Sequence, residues 1–201
     1  MRRCFAAMFA ALSLLAALPL STSPAFAHPD MAASVRLSFA MEQSRLTGLA
    51  ERLVFDATTS RRLLTRFDVD DDGELSDVER GNLEDELLTR LTERHFFTEL
   101  SLDGEQLILP APSGAVVRLN AGYVELQVEF RFASPNDLNS ATFGVLMRDR
   151  DLAIVFRLDP VTPAILSGTP SAVCVTGMQQ RRDQAYFGGL VIPTMVTLTC
   201  R

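Results

Sequence analysis

Residues 123–132 alternate strictly between apolar and polar side chains. The apolar positions recur every second residue and are Val124, Leu126, Val128, Phe130 and Phe132. Because successive side chains of a β-strand point to opposite faces, this period of two predicts a strand with one buried and one solvated face.

Similar signals recur along most of the chain. Residues 35–41 alternate in the same way, residues 46–55 follow as a returning strand, and residues 152–158 are apolar enough for a strand covered on both faces. Asp103-Gly104 provides the positive φ angles of a tight hairpin turn between strands at 97–102 and 106–109. The predicted fold class is α+β: a mainly antiparallel β-sandwich with a helical EF-hand insertion at about 57–95.

The insertion contains two predicted helices. Thr58, Thr59 and Ser60 are candidate N-caps of the first, whose Leu63, Leu64 and Phe67 should face the core. Leucines 83, 87 and 91 form the apolar stripe of the second. His95 continues this stripe, which indicates a packed or capping histidine.

The acidic segment between these helices reads DVDDDGELSDVE over residues 68–79. A twelve-residue calcium loop needs oxygen ligands at positions 1, 3 and 5, glycine at 6, a carbonyl at 7, a water-mediated ligand at 9 and a bidentate carboxylate at 12. The sequence therefore predicts a calcium site, in the order of the loop, from Asp68, Asp70, Asp72, Glu74 through its carbonyl, Ser76 through water, and Glu79. Gly73 occupies the glycine position. The alternative is a solvated acidic turn without a metal ion.

The first 27 residues have the pattern of a secretory signal peptide, with Arg2 and Arg3 before an apolar run that ends in SPAFA. We expect cleavage after Ala27, a periplasmic or secreted product, and a single β-rich domain over residues 28–201 that contains the helix–loop–helix at 57–95. The two remaining cysteines, Cys174 and Cys200, are then expected to form a disulfide, with a redox-active or metal-thiolate pair as the alternative.

Removal of the leader leaves 17 basic and 25 acidic side chains, a net charge of −8. This acidity argues against nucleic acid and anionic membrane as partners, and we expect no direct membrane insertion after cleavage. It is compatible with cations, and we expect metal ions as partners.

The new N-terminus would carry a free α-amine beside the imidazole of His28. Together these two nitrogens could chelate nickel, cobalt, copper or zinc, and Asp30 could add an oxygen. The alternative is that His28 only favours clean cleavage.

Several short motifs resemble a bacterial family of unknown function whose members are described as periplasmic components of an uncharacterised ABC-type transport system, frequently associated with nickel/cobalt permeases. The similar segments are His28-Pro29, Phe55-Asp56, the acidic loop, His95-Phe96-Phe97-Thr98, Leu102-Asp103-Gly104 and Asp159-Pro160-Val161. The chain departs from that family at Asp30, where a second histidine is common, at Met31-Ala32-Ala33, which replaces an aromatic residue, and at Arg148-Asp149-Arg150-Asp151, which replaces a Tyr-Asp-Pro-type segment.

The resemblance implies an accessory or solute-binding component of a transport system, with an inner-membrane permease as partner and transition metals as candidate solutes. The alternative is a structural or interaction protein in which calcium only stabilises the fold. We do not expect an enzyme, because the chain has no Gly-x-Ser-x-Gly motif and its two histidines are far apart. An Asp/Glu pair for hydrolysis stays open as a further alternative.

Overall fold

The computed structural model describes residues 30–200, which form eleven β-strands and two α-helices. The strands are β1 Met31–Gln43, β2 Arg45–Phe55, β3 Thr98–Leu102, β4 Glu105–Leu107, β5 Pro112–Asn120, β6 Tyr123–Asp137, β7 Thr142–Met147, β8 Ile154–Leu158, β9 Ala164–Pro170, β10 Cys174–Gln180 and β11 Thr194–Cys200. The helices are α1 Ala57–Phe67 and α2 Asp77–Thr92. Residues 1–29, which include the predicted signal peptide and His28, lie outside the described residues, as does Arg201. The chain is thus mostly β with a helical segment at the predicted place.

Two sheets contain all the strands. The first has the order β5-β6-β2-β1-β8, and β9 also pairs with β1. The second has the order β10-β11-β7-β3-β4 and is antiparallel throughout. Both β8 and β9 run parallel to β1, one beside each half of that long strand. These two parallel pairings were not predicted.

Apolar side chains from both sheets meet in one core. Phe143 of β7 has its ring 6.2 Å from that of Phe39 on β1 and 5.8 Å from that of Phe132 on β6, both in edge-to-face geometry. The alternation in β6 is observed as predicted, with Val124, Leu126, Val128 and Phe130 buried. The period of two therefore identified the core-facing side of this strand.

Strand β8 differs from its prediction. Only Ile154 is buried, whereas Val155, Phe156 and Leu158 are partly exposed and Arg157 is exposed. The apolar run therefore does not belong to a strand covered on both faces. It lies at the edge of the first sheet, where β1 is its partner.

The helices pack as their leucine pattern predicts, but their ends differ. Leu83, Leu87 and Leu91 are buried, while α2 ends at Thr92 and His95 is exposed, so the stripe does not continue to this histidine. The N-cap of α1 is Asp56, whose carboxylate accepts a hydrogen bond from the Thr59 N–H at 2.8 Å. Thr59 and Ser60 are instead buried, and their hydroxyls accept hydrogen bonds from the backbone N–H groups of Ala32 and Val124.

The two cysteines form a disulfide, as predicted. Cys174 on β10 and Cys200 on β11 are directly opposite each other in the antiparallel ladder, with their Cα atoms 4.0 Å apart. The bond ties an edge strand to its inner neighbour. Among residues 30–200, no helix is long and apolar enough to cross a membrane.

Candidate metal centre

The acidic loop connects the end of α1 to the start of α2. Ser76 is the N-cap of α2: its hydroxyl accepts from the Glu79 N–H at 3.4 Å, and the Glu79 carboxylate accepts from the Ser76 N–H at 2.9 Å. This reciprocal capping box satisfies two backbone donors at once. It also holds the Glu79 side chain back over the loop.

Glu79 is buried and makes a second contact across the loop. Its Oε1 accepts from the Val69 N–H at 2.6 Å, ten residues earlier in the chain. Hydrogen bonds from the backbone of Val69 and Ser76 lower the pKa of Glu79, because they favour its charged form. The last residue of the loop is therefore an ionised carboxylate already turned toward its first residues.

The first half of the loop turns around Asp68. The two carboxylate oxygens of Asp68 accept from the N–H groups of Asp72 at 3.2 Å and Gly73 at 3.0 Å. Gly73 has φ +80°, a left-handed conformation that glycine adopts without a Cβ penalty. The sharp turn expected at position 6 of the loop is present.

The loop brings three of the predicted ligands together. Carboxylate oxygens of Asp68, Asp70 and Glu79 all lie within 4.8 Å of one another. No second such group of acidic, histidine or cysteine side chains is found within residues 30–200. These three residues correspond to positions 1, 3 and 12 of the motif.

The other predicted ligands are placed less closely. Asp72 is outside this group, and its Oδ1 accepts from the Glu74 N–H at 2.8 Å. Its negative charge nevertheless raises the pKa of Asp70, with burial and the Glu79 charge as smaller causes. Ser76 uses its hydroxyl for the helix cap, and Asp30 is exposed at the beginning of the described chain.

The chemistry of the donors fits a hard divalent cation. All three grouped ligands are carboxylates, which suit Ca²⁺ or Mg²⁺ better than soft metals that prefer nitrogen or sulfur. Their mutual repulsion would be relieved by a cation between them. Leu75, within the same loop, packs against the buried core, so the loop is attached to the domain through an apolar contact.

One buried polar pair is absent from the sequence prediction. Glu51 on β2 is completely buried, and its Oε1 lies 2.7 Å from the hydroxyl of Thr98, the first residue of β3. A signal for it exists in the sequence, because Glu51 interrupts the apolar positions Leu49, Leu53 and Phe55 on the same face of one strand.

Comparison with known proteins gives a family and no assigned activity. Searches of curated proteins and of solved structures found no match. A family model described as "protein of unknown function (DUF1007)" matches residues 13–186, which is most of the chain. The chain belongs to this family of proteins of unknown function.

Proposed function

We propose that this chain is an exported calcium-binding protein whose loop Asp68–Glu79 is an EF-hand. The observation that supports the proposal most directly is the convergence of carboxylate oxygens from Asp68, Asp70 and Glu79 within 4.8 Å, between two helices. Calcium is favoured over magnesium because the loop offers up to seven oxygen positions, and Mg²⁺ requires a smaller octahedral shell.

The proposed role of calcium is structural. A single calcium loop outside the cytosol belongs with modules whose dissociation constants are about 10⁻⁴–10⁻³ M, close to external calcium concentrations. Calcium would then be bound most of the time. It would fix the two helices against the β-sandwich that we propose for the two sheets, a packing supported by the contact of Phe143 with Phe39.

A salt bridge supports this bracing role. Arg66 near the end of α1 is 3.1 Å from Glu86 of α2, so the two helices are connected by side chains as well as by the loop. Because the pair is largely exposed, its contribution is small. A cation bound by the loop would supply the stronger connection.

The proposal is tested by calcium titration of two neighbouring variants. Asp70→Asn removes one of the three grouped carboxylates, whereas Asp71→Asn makes the same change of charge at a residue outside the group. Asparagine also tolerates the left-handed backbone of Asp71, whose φ is +57°. Calorimetry should show calcium affinity about tenfold or more weaker for Asp70→Asn, the loss expected when a charged contact worth about 1.5–3 kcal/mol is removed.

Asp71→Asn should bind calcium nearly as the parent protein does. Equal losses in the two variants would mean that only net charge attracts the ion. Absence of heat from millimolar calcium in the parent protein would contradict the proposal altogether.

The transport role rests on the family resemblance. As part of the same proposal, the protein would serve a permease as an accessory or solute-binding component, with a transition metal held by His28 and Asp30. His28→Ala should then abolish nickel, cobalt, copper or zinc binding, and His95→Ala, which changes the other histidine of the chain, should not. Retained binding in His28→Ala would leave the structural role of calcium as the better proposal.

A further inference from the structure

Glu51 lies where the fold otherwise places apolar side chains. It is completely buried on β2, directly opposite Leu37 of β1 on one side and Val128 of β6 on the other. Its Oε1 is 2.7 Å from the hydroxyl of Thr98, and its Oε2 has no hydrogen-bond partner in the described protein. An ionised carboxylate with a bare buried oxygen is a costly arrangement.

The hydrogen positions around Thr98 indicate which form is present. The Thr98 Oγ1 atom is within hydrogen-bond distance of two acceptors, Glu51 Oε1 at 2.7 Å and the Phe96 carbonyl at 3.1 Å. A hydroxyl has one proton and can donate to only one of them. Both contacts are satisfied if Glu51 is a carboxylic acid that donates to Thr98, while Thr98 donates to Phe96.

This hydrogen-bond chain ends on a backbone turn of unusual conformation. His95, Phe96 and Phe97 have φ angles of +48°, +54° and +55°, so three consecutive residues other than glycine are left-handed. Such a conformation is retained only where the surroundings impose it. The Phe96 ring is buried 5.0 Å from that of Phe130, and the Phe97 carbonyl accepts from the Arg148 N–H at 3.0 Å.

The turn also shapes a groove on the surface. We call it the turn-side groove: a cavity of about 830 Å³ lined by the turn and Thr98, by residues 106–109 and by residues 148–151. His95, Phe97 and Thr98 contribute to one wall. A change in the turn would therefore change the shape of this groove.

We infer that Glu51 is a protonated carboxylic acid that acts as a latch, holding the left-handed turn His95–Phe97 and thus one wall of the turn-side groove through Thr98. When the acid ionises, its proton passes to solvent and Thr98 must donate to the carboxylate. The Phe96 carbonyl then loses its partner and the turn is released.

The electrostatic surroundings agree with this assignment. Burial raises the pKa of Glu51 to about 8, and the hydrogen bond with Thr98 opposes this only in part. The strands around it present apolar residues on the same face. In the segment 94–102, Arg94 is paired with Asp151 and Glu99 with Arg148, and the His95 side chain is exposed.

The test follows the carboxyl group and the turn together by NMR, with calcium saturating. In the parent protein, the ¹³C resonance of the Glu51 carboxyl should titrate with a midpoint of about 8, and the backbone resonances of Phe96 and Thr98 should move with the same midpoint. In Glu51→Gln the amide donates to Thr98 at every pH. The turn resonances should therefore lose this transition.

Three further variants separate the latch from simple packing. Thr98→Val removes the connecting hydroxyl with little change of shape, so Glu51 should still titrate but the turn should no longer follow. Thr98→Ser retains the hydroxyl, so in this variant the turn should again follow the titration of Glu51. It can replace the valine variant in the test if Thr98→Val does not fold. His95→Asn removes the titratable side chain of the turn and should leave the transition in place.

A carboxyl midpoint in the range of an ordinary glutamate would overturn the inference. So would turn resonances that ignore the titration of Glu51 in the parent protein, or that follow it equally well in Thr98→Val.

Discussion

At the scale of single residues, the carboxylates lie in two opposite environments. Asp70 is exposed among other acids, and the charge of Asp72 raises its pKa. Glu51 is surrounded by apolar side chains, and burial raises its pKa. The surroundings of Asp70 are suited to the cation that we propose, whereas burial favours the protonated form of Glu51.

The buried acid predicts a specific dependence of stability on pH. Because the pKa of Glu51 is raised from 4.5 to about 8, the folded protein retains a proton that the unfolded chain releases between these values. Its contribution to stability is complete below pH 4.5 and is lost as pH rises to about 8. Relative to Glu51→Gln, the unfolding free energy of the parent should fall by about 1.4 kcal/mol per pH unit in this range.

Urea unfolding between pH 5 and 9 measures this difference. Glu129→Gln, which changes an exposed glutamate on the neighbouring strand β6, should track the parent at every pH. A constant gap between the parent and Glu51→Gln would show that Glu51 does not retain its proton on folding.

At the scale of elements, the sequence predicted features that depend only on neighbouring residues, such as a tight turn, better than features that depend on distant contacts. The Asp103-Gly104 hairpin is present, with φ angles of +50° and +87°, because few residue pairs other than these favour that turn. The N-cap of α1 was predicted wrongly, because Thr59 and Ser60 bond to strands far away in the chain while Asp56 caps the helix. N-cap preferences describe only residues close in sequence, so they could not predict that Thr59 and Ser60 bond to distant strands.

The apolar stripe of α2 leads to a prediction about packing. Leu87 is 3% exposed, whereas the adjacent Leu88 is only partly buried. Leu87→Ala should lower the unfolding free energy by about 2–5 kcal/mol, because it leaves a cavity in the core. Leu88→Ala makes the same change in helix propensity. In chemical denaturation it should lower the unfolding free energy clearly less than Leu87→Ala does.

Equal losses for the two alanine variants would contradict the assignment of the buried face. Equal losses would mean that both leucines are buried to the same extent, contrary to their observed exposure.

At the scale of the whole molecule, the sequence predicted a mostly β fold and the disulfide but not the order of the strands. The period of two identifies strands and their buried faces, but it carries no information about which distant strand pairs with which. The parallel neighbours of β1 therefore could not be predicted. For the candidate site, the spacing identified Asp68, Asp70 and Glu79, whereas the Glu51–Thr98 contact depends on two strands in different sheets.

If calcium braces the domain, its removal should destabilise the whole fold. A ligand at 100 times its dissociation constant adds about 2.7 kcal/mol, which for a chain of this size corresponds to a rise of about 5–10 °C in Tm. Differential scanning calorimetry with calcium and then with a chelator should show this shift. Asp70→Asn should show much less of it at the same calcium concentration, and an unchanged Tm in the parent protein would rule out the bracing role.

The position of β1 in its sheet has a consequence for the order in which the strands can pair. β1 pairs with β2, its neighbour in the chain, whereas Arg36 of β1 also donates to the carbonyl of Thr162, 126 residues later. Contacts over such distances are slow to form. If the chain is exported as proposed, the β1 edge would stay unpaired until β8 and β9 have also crossed the membrane, and an unpaired strand edge is prone to pair with other chains.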